Sequence, residues 1–143
     1  MMKVSLQFLS FTLLLLAATA FPAWAQQTAS ERSDLARYQR YAETPVDHVT
    51  YFQIDGFEYL APNKVAIWFG VNKLYILTVQ TPCNDLELAK DIGLTAKGNT
   101  LYSKFDFVTF GSPAGGQRCK ITQIVPVNEL KMKQDAAKAK VGH

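Results

Sequence analysis

The side chains that most often carry catalysis are scarce in this chain of 143 residues. It has two histidines, of which His143 is the last residue, so a Ser/His/Asp or Cys/His site would have to use His48. Asp106 lies between Phe105 and Phe107, and these aromatic neighbours favour partial desolvation of its carboxylate. A hydrolase that uses His48 or Asp106 is therefore one hypothesis. We rank it last, because a half-exposed strand histidine and an aspartate that holds a loop are commoner.

Other reactive groups lack the spacing that their chemistry requires. Ser112 lies in a glycine-rich loop without the Gly-x-Ser-x-Gly elbow of a nucleophilic serine. The sequence contains no His-Glu-x-x-His motif, no histidine pair four residues apart and no EF-hand loop. Cys83 and Cys119 are too far apart for a Cys-x-x-Cys redox pair and too few for a zinc site of four cysteines. We therefore predict no catalytic residue, no metal site and no cofactor.

The two cysteines have a better explanation if the chain is exported. In an oxidising compartment, Cys83 and Cys119 are expected to form a disulfide, with free or intermolecular thiols as the alternative. A disulfide between residues 83 and 119 would close the intervening loop, and in the chain-entropy model this cross-link stabilises the folded protein by about 4 kcal/mol.

Export itself is predicted from residues 1–25. Lys3 is followed by an uncharged apolar run over residues 8–20, and small residues at Ala23 and Ala25 fit signal-peptidase cleavage after Ala25, with Ala20 as a second candidate. The apolar run is short for a retained membrane anchor. We therefore expect a Sec-type signal peptide, a periplasmic location and no stable membrane span after cleavage.

Charge and tail composition limit the partners. The formal charge of +3 falls to +2 once Lys3 is removed, and the Lys- and Ala-rich tail over residues 129–143 carries this excess. Such a charge is too small and too dispersed to predict a nucleic-acid partner. The tail is expected to be frayed helix or disorder, which could make weak contact with an anionic surface.

Aromatic side chains are plentiful, with nine Phe, six Tyr and two Trp. Seven fall in the first four predicted strands: Tyr51, Phe52, Phe57, Tyr59, Trp68, Phe69 and Tyr75. They could fill the core of a small barrel, or some could line a groove for a glycan or a peptide. The candidate binding residues are Trp68, Tyr75, Asp106 and Ser112.

Hydrophobic periodicity predicts the elements that position these residues. A helix is expected over residues 29–43, a hairpin turn at Asp55-Gly56, and a short helix that Asn84 caps and Gly93 ends. Strands are expected at 49–54, 57–60, 64–69, 73–79, 101–110 and 118–125, the last of them limited by Pro126. The central strands are expected to be covered on both sides, because both of their faces are apolar. One face carries Val65, Ile67 and Phe69, and the other carries Ala66 and Trp68. The predicted fold is mainly β: a small antiparallel barrel or strongly curved sheet with one N-terminal helix, one short internal helix and one disulfide. A helical segment over 26–47 would precede the β domain, 48–128.

Eight segments, in this order, resemble one bacterial family: Tyr41–Asp47, Gly56–Leu60, Val65–Trp68, Tyr75–Thr78, Pro82–Leu86, Ile92–Thr95, Phe105–Asp106 and Arg118–Ile121. That family consists of small exported proteins and is described only as a domain of unknown function, number 6491 in its series. The resemblance covers about residues 38 to 128 and implies a periplasmic domain of a Gram-negative cell. Many members look like lipoproteins with a cysteine after the signal peptide, whereas this signal ends at Ala25. The resemblance implies no activity and no catalytic residues.

Our leading functional hypothesis is a non-catalytic periplasmic module that binds a protein or an envelope glycan. The alternative is an inhibitor of a secreted lysozyme or protease that presents the loop over Gly111–Gln117.

Overall fold

The computed structural model describes residues 29–111 and 116–142. The predicted signal peptide, Ser112 and His143 lie outside these residues. The elements are α1 (Ala29–Gln39), β1 (His48–Thr50), β2 (Gly56–Ala61), β3 (Lys64–Trp68), β4 (Leu74–Val79), β5 (Gly93–Leu94), β6 (Thr100–Tyr102), β7 (Phe107–Phe110), β8 (Gln117–Val127) and α2 (Glu129–Val141).

Six strands form one antiparallel sheet in the order β2-β3-β4-β8-β7-β5, which curls into half a barrel. The hairpins at 62–63 and 70–73 join β2 to β3 and β3 to β4, as the turn residues predicted. The mainly β, strongly curved sheet is confirmed.

The long strand β8 holds the two halves of the sheet together. Its first residues pair with β7 and its later residues with β4. The prediction that Pro126 limits this strand is wrong, since β8 continues to Val127. The carbonyl of Pro126 accepts a hydrogen bond from the N–H of Glu43 at 2.8 Å, on the edge away from β4. Proline's missing donor faces that same edge, so the β4–β8 ladder loses no bond.

A separate two-stranded ribbon forms from β1 and β6. The predicted hairpin at Asp55-Gly56 is therefore wrong, because β1 pairs with β6 and not with β2. The predicted strand 101–110 is interrupted by a turn at which Lys104 has a left-handed φ of 69°. This break lets β6 leave the sheet and pair with β1, and the two strands then bury Val49 and Leu101 together.

Both helix predictions need correction. The short internal helix is a single 3-10 turn, Leu86–Leu88, before which Asp85 lies in the left-handed region and makes no side-chain cap; Gly93 belongs to β5. Leu86 is buried and Ala89 and Ile92 pack against the core without helical geometry, whereas Leu88 is 68% exposed. Helix α1 ends at Gln39 and not at 43, since residues 42 and 46 instead form bridges with β8.

The tail predicted as frayed helix or disorder forms α2 (Glu129–Val141), a second helix that the sequence-based fold lacked. The side chain of Asn128 caps it by accepting the N–H of Lys131 at 3.0 Å.

The strands of the sheet are buried on both faces, as their apolar pattern predicted. On one face lies the ribbon-side cluster, which includes Val65, Ile67, Leu77, Leu101 and Ile121. On the other face lies the helix-side cluster, which consists of Tyr38, Leu60, Ala66, Leu74, Ile76 and Val127. The Cys83–Cys119 disulfide forms, with the two Cα atoms 5.8 Å apart, and both cysteines belong to the ribbon-side cluster.

Candidate functional site

Asp106 holds together the break between β6 and β7. Its carboxylate accepts the backbone N–H of Tyr102 at 2.7 Å and the hydroxyl of Thr95 at 3.2 Å. The same Thr95 hydroxyl accepts the N–H of Phe107 at 2.9 Å. Both carboxylate oxygens therefore bind groups of the fold itself. This is the arrangement of an aspartate that fixes a turn.

Trp68, a candidate binding residue, contacts both helices. Its ring meets that of Tyr38 edge to face, with centroids 6.1 Å apart. Its Nε1 donates to Oε1 of Glu129 at 3.2 Å, and the same oxygen pairs with Nζ of Lys133 at 2.9 Å. Glu129 is only 6% exposed, and its Oε2 has no hydrogen-bond partner among the described residues. Trp68 thus anchors the first turn of α2 to the sheet.

Tyr38 makes the second polar contact on the helix side. Its hydroxyl donates to Oε2 of Glu58 at 2.6 Å, and the guanidinium of Arg37 lies 4.9 Å from its ring centroid. Burial, with the negative hydrogen-bond partner Glu58, raises the pKa of Tyr38 to about 12.

Tyr75 belongs to a row of rings in the ribbon-side cluster. Phe69 is buried between Tyr51, stacked at a centroid distance of 4.5 Å, and Tyr75, at 5.5 Å. Burial and the negative charge of Glu43 raise the pKa of Tyr75. This part of the aromatic set fills the core. Tyr75 also lines a shallow cleft of about 250 Å³ at the start of α2.

Ser112 lies outside the described residues, but both ends of its loop are described. Phe110 and Gln117 form the last pair of the β7–β8 hairpin. Gln117 also donates from its side chain to Asp85 at 3.2 Å. A cleft of about 450 Å³ lies beside the loop, with Asp91 and Arg118 among its lining residues.

The outer face of the β1–β6 ribbon carries exposed aromatic side chains. Because side chains alternate along a strand, His48 and Thr50 share this face with Thr100 and Tyr102. Phe52 follows two residues after β1, at a bend of the chain, and is the next exposed ring beside this face. We call these five residues the ribbon face. The pairing continues past β1, where the N–H of Tyr51 donates to the carbonyl of Asn99 at 2.8 Å.

Exposure on the ribbon face is high. Phe52 is 80% exposed and Tyr102 is 46% exposed, and the rings of His48 and Tyr102 lie 5.5 Å apart at an interplanar angle of 33°. Phe105, in the turn after β6, is also exposed. Single exposed apolar residues are ordinary, but rings gathered on one small surface are typical of an interaction site.

The ribbon face brings together residues that the sequence alone does not connect. The sequence suggests a catalytic base or a half-exposed strand residue for His48 and one of seven clustered aromatics for Phe52, and it gives Tyr102 no role. The available signal was the alternation from His48 to Phe52, which resumes at Thr100 and Tyr102. This alternation identifies a shared face only when the β1–β6 pairing is known. A single sequence does not show that pairing, because it joins residues about fifty positions apart.

The comparisons with known proteins identify the family. The model of a family described as "Family of unknown function (DUF6491)" matches residues 2–142. The chain belongs to this family. The match extends beyond residues 38 to 128, which the resemblance covers. No curated protein and no solved structure matches the chain.

For this member of the DUF6491 family, two structural findings concern metal ions and membrane spans. Among residues 29–111 and 116–142, no three His, Cys, Asp or Glu side chains are grouped so as to hold a metal ion. Within the same ranges, no helix is long and apolar enough to cross a membrane.

Proposed function

We propose that this protein is an exported, non-catalytic binding module and that the ribbon face is its contact surface. The observation that carries the proposal is the exposure of Tyr102 on the ribbon and of Phe52 just after β1, while the other face of the ribbon buries Val49 and Leu101. Val49 and Leu101 supply the buried side, so the outer rings are not needed to hold the ribbon in place. When a partner covers aromatic rings that are exposed to water, the free energy of the system falls, and this favours binding.

Export is supported by the disulfide together with the N-terminal sequence. Structural disulfides persist in oxidising compartments such as the periplasm and are rare in the cytosol. The Cys83–Cys119 bond and the apolar stretch after Lys3 therefore both favour a periplasmic location.

The two residues of the hydrolase hypothesis have other partners, which supports a binding role. Asp106 uses its carboxylate to hold Thr95 and the backbone of Tyr102. His48 lies exposed on the ribbon face against the ring of Tyr102.

The proposal is tested by co-sedimentation of the purified protein with a washed cell-envelope fraction. We expect saturable binding that the double variant Phe52→Ala/Tyr102→Ala loses. Val141→Ala serves as the matched control, because Val141 is 85% exposed at the end of α2, a helix that packs on the opposite side of the sheet. Binding that survives the double substitution, or no saturable binding by the unmodified protein, would overturn the proposal.

Inhibition of a secreted lysozyme or protease is the second candidate. It is favoured by the way the described ends of the Gly111–Gln117 loop are fixed, by the β7–β8 hairpin and by the side-chain bond from Gln117 to Asp85. A rigid base presents a loop at low entropic cost. Deleting residues 112–116 should abolish inhibition and preserve the thermal melting temperature; inhibition that persists after the deletion would exclude this role.

A further inference from the structure

The ribbon face has a chemical character that selects among partners. None of its five residues carries a carboxylate, an ammonium or a guanidinium group. Its polar groups are the hydroxyls of Thr50, Thr100 and Tyr102 and the imidazole of His48. A hydroxyl or a neutral imidazole can both donate and accept a hydrogen bond. The face therefore combines aromatic surface with groups that suit a ligand whose own groups both donate and accept hydrogen bonds.

Length and shape give a second criterion. Phe52 is four residues from His48 and lies two residues past the end of β1, at a bend of the chain. Because a strand rises about 3.3 Å per residue, their Cα atoms are at most about 13 Å apart. The His48–Tyr102 pair lies at one end of this distance and Phe52 at the other. The face is thus an elongated strip with a ring platform near each end, which suits a linear ligand with repeated units.

We infer that the ribbon face binds an uncharged oligosaccharide, with sugar rings lying on Tyr102 and Phe52. This inference rests on the proposed function and names the class of its partner. The apolar C–H face of a pyranose ring packs on an aromatic ring, while its hydroxyls both donate and accept hydrogen bonds. The two threonine hydroxyls lie between the platforms, where they can bind the sugar units in the middle.

A protein partner fits this surface less well. Stable protein interfaces usually have a well-packed apolar centre and bury roughly 800 Å² on each partner. On the ribbon face, the two residues between the ring platforms are threonines. None of the five residues of the face offers a carboxylate, an ammonium or a guanidinium group with which a charged polymer could pair directly.

Titration calorimetry with defined oligosaccharides tests the inference on the purified protein. The uncharged probes are chitohexaose and maltoheptaose, and the charged comparison is oligogalacturonate. We expect saturable binding of at least one uncharged probe and weaker binding of the charged one. Tyr102→Ala and Phe52→Ala should each weaken binding about tenfold.

Matched variants separate loss of contact from loss of fold. Tyr102→Phe keeps the ring and should retain most of the affinity, and Val141→Ala, at the exposed end of α2, should retain all of it. Because both ribbon residues are exposed, their alanine variants should melt at the same temperature as the unmodified protein. Equal binding by Tyr102→Ala and the unmodified protein would overturn the assignment of the site.

The outcomes also distinguish this inference from the proposed function. If no uncharged probe binds, and envelope binding depends on the ribbon but disappears when the fraction is treated with protease, the partner is a protein. The binding role then stands and the sugar inference is wrong. If the ribbon variants bind the envelope fraction as well as the unmodified protein does, both the proposed binding role of the ribbon and the sugar inference are wrong.

Discussion

The two faces of the sheet are covered in different ways. The ribbon-side cluster is closed by the Cys83–Cys119 disulfide, by the β1–β6 backbone pairing and by hydrogen bonds to the Asp106 carboxylate. The helix-side cluster is closed by two helices whose polar side chains reach the sheet. Trp68 binds Glu129 of α2, and Tyr38 of α1 binds Glu58.

This difference indicates which side is the more easily deformed. A cover held by strand pairing and a disulfide can move only when several bonds break together. A helix held through a few side chains can shift by a small rotation. We therefore expect substitutions on the ribbon side to cost more stability than equivalent substitutions on the helix side.

The largest effect is expected from the disulfide. The double variant Cys83→Ser/Cys119→Ser should lower the free energy of unfolding by about 4 kcal/mol, since the unfolded chain regains the entropy that the cross-link removes. Urea denaturation with and without dithiothreitol measures this loss. The reductant should destabilise the unmodified protein and leave the double variant unchanged. Equal stability of the two proteins in the absence of reductant would contradict the expected role.

Two leucines on β4 compare the faces directly. Leu77 belongs to the ribbon-side cluster and Leu74 to the helix-side cluster, and they are 0% and 1% exposed. Replacement of either by alanine should cost about 2–5 kcal/mol. We expect Leu77→Ala to cost more, because its surroundings are less able to collapse into the cavity. A larger loss for Leu74→Ala in urea denaturation would reverse our ranking of the two faces.

A smaller effect is expected where Tyr38 binds Glu58. Tyr38→Phe should cost about 1.5 kcal/mol, the lower end for a hydrogen bond to a charged group, because Glu58 is only half-buried. The matched substitution Tyr102→Phe, at an exposed hydroxyl, should change stability by less than about 0.5 kcal/mol. Equal losses from the two substitutions would contradict a stabilising Tyr38–Glu58 bond.

The same tyrosine predicts a dependence on alkaline pH. The pKa of Tyr38 is about 12 in the folded protein, whereas the ordinary pKa of a tyrosine, which applies to the unfolded chain, is 10.0. The folded state therefore favours the protonated phenol. This contribution is complete below pH 10 and is lost as the pH rises to about 12. Denaturation of Tyr38→Phe over this range should show a smaller alkaline loss than the unmodified protein; equal losses would assign the dependence to other groups.

The smallest effect is expected at the start of α2. Asn128→Ala removes the helix cap and should cost about 1 kcal/mol. The loss should be confined to α2 and visible as faster amide hydrogen exchange there, with the strands unchanged. Asn99→Ala, at an exposed residue before β6, is the control and should leave exchange in α2 unaltered. Faster exchange throughout the sheet would show that α2 is not a local unit.

The sequence predicted the local features of this fold better than its long-range pairing. The alternating apolar residues of β3 and β4 were enough to predict strands buried on both sides, since period-two patterning is a local property. The disulfide was predicted from compartment and cysteine number, without knowledge of the fold. The partner of β1 could not be predicted from the sequence. Asp55-Gly56 is a hairpin signal, which predicts pairing of β1 with β2, but β1 pairs with β6, where Val49 and Leu101 are buried together.

The same distinction applies to the candidate site. Trp68 and Asp106 were singled out for their chemistry, and both bind groups within the fold. Their partners lie on other elements, and a single sequence does not identify them. Tyr102 was overlooked because its importance comes only from the neighbour that pairing provides.

The side of the sheet on which the helices lie has a practical consequence for surface chemistry. The first and last described residues, Ala29 and Gly142, belong to or follow α1 and α2, and the helix-side cluster faces away from the ribbon. A biotin, a fluorophore or a solid support attached beyond either helix would therefore leave the ribbon face pointing outward. Sensors prepared from the two ends should report the same ligand affinity.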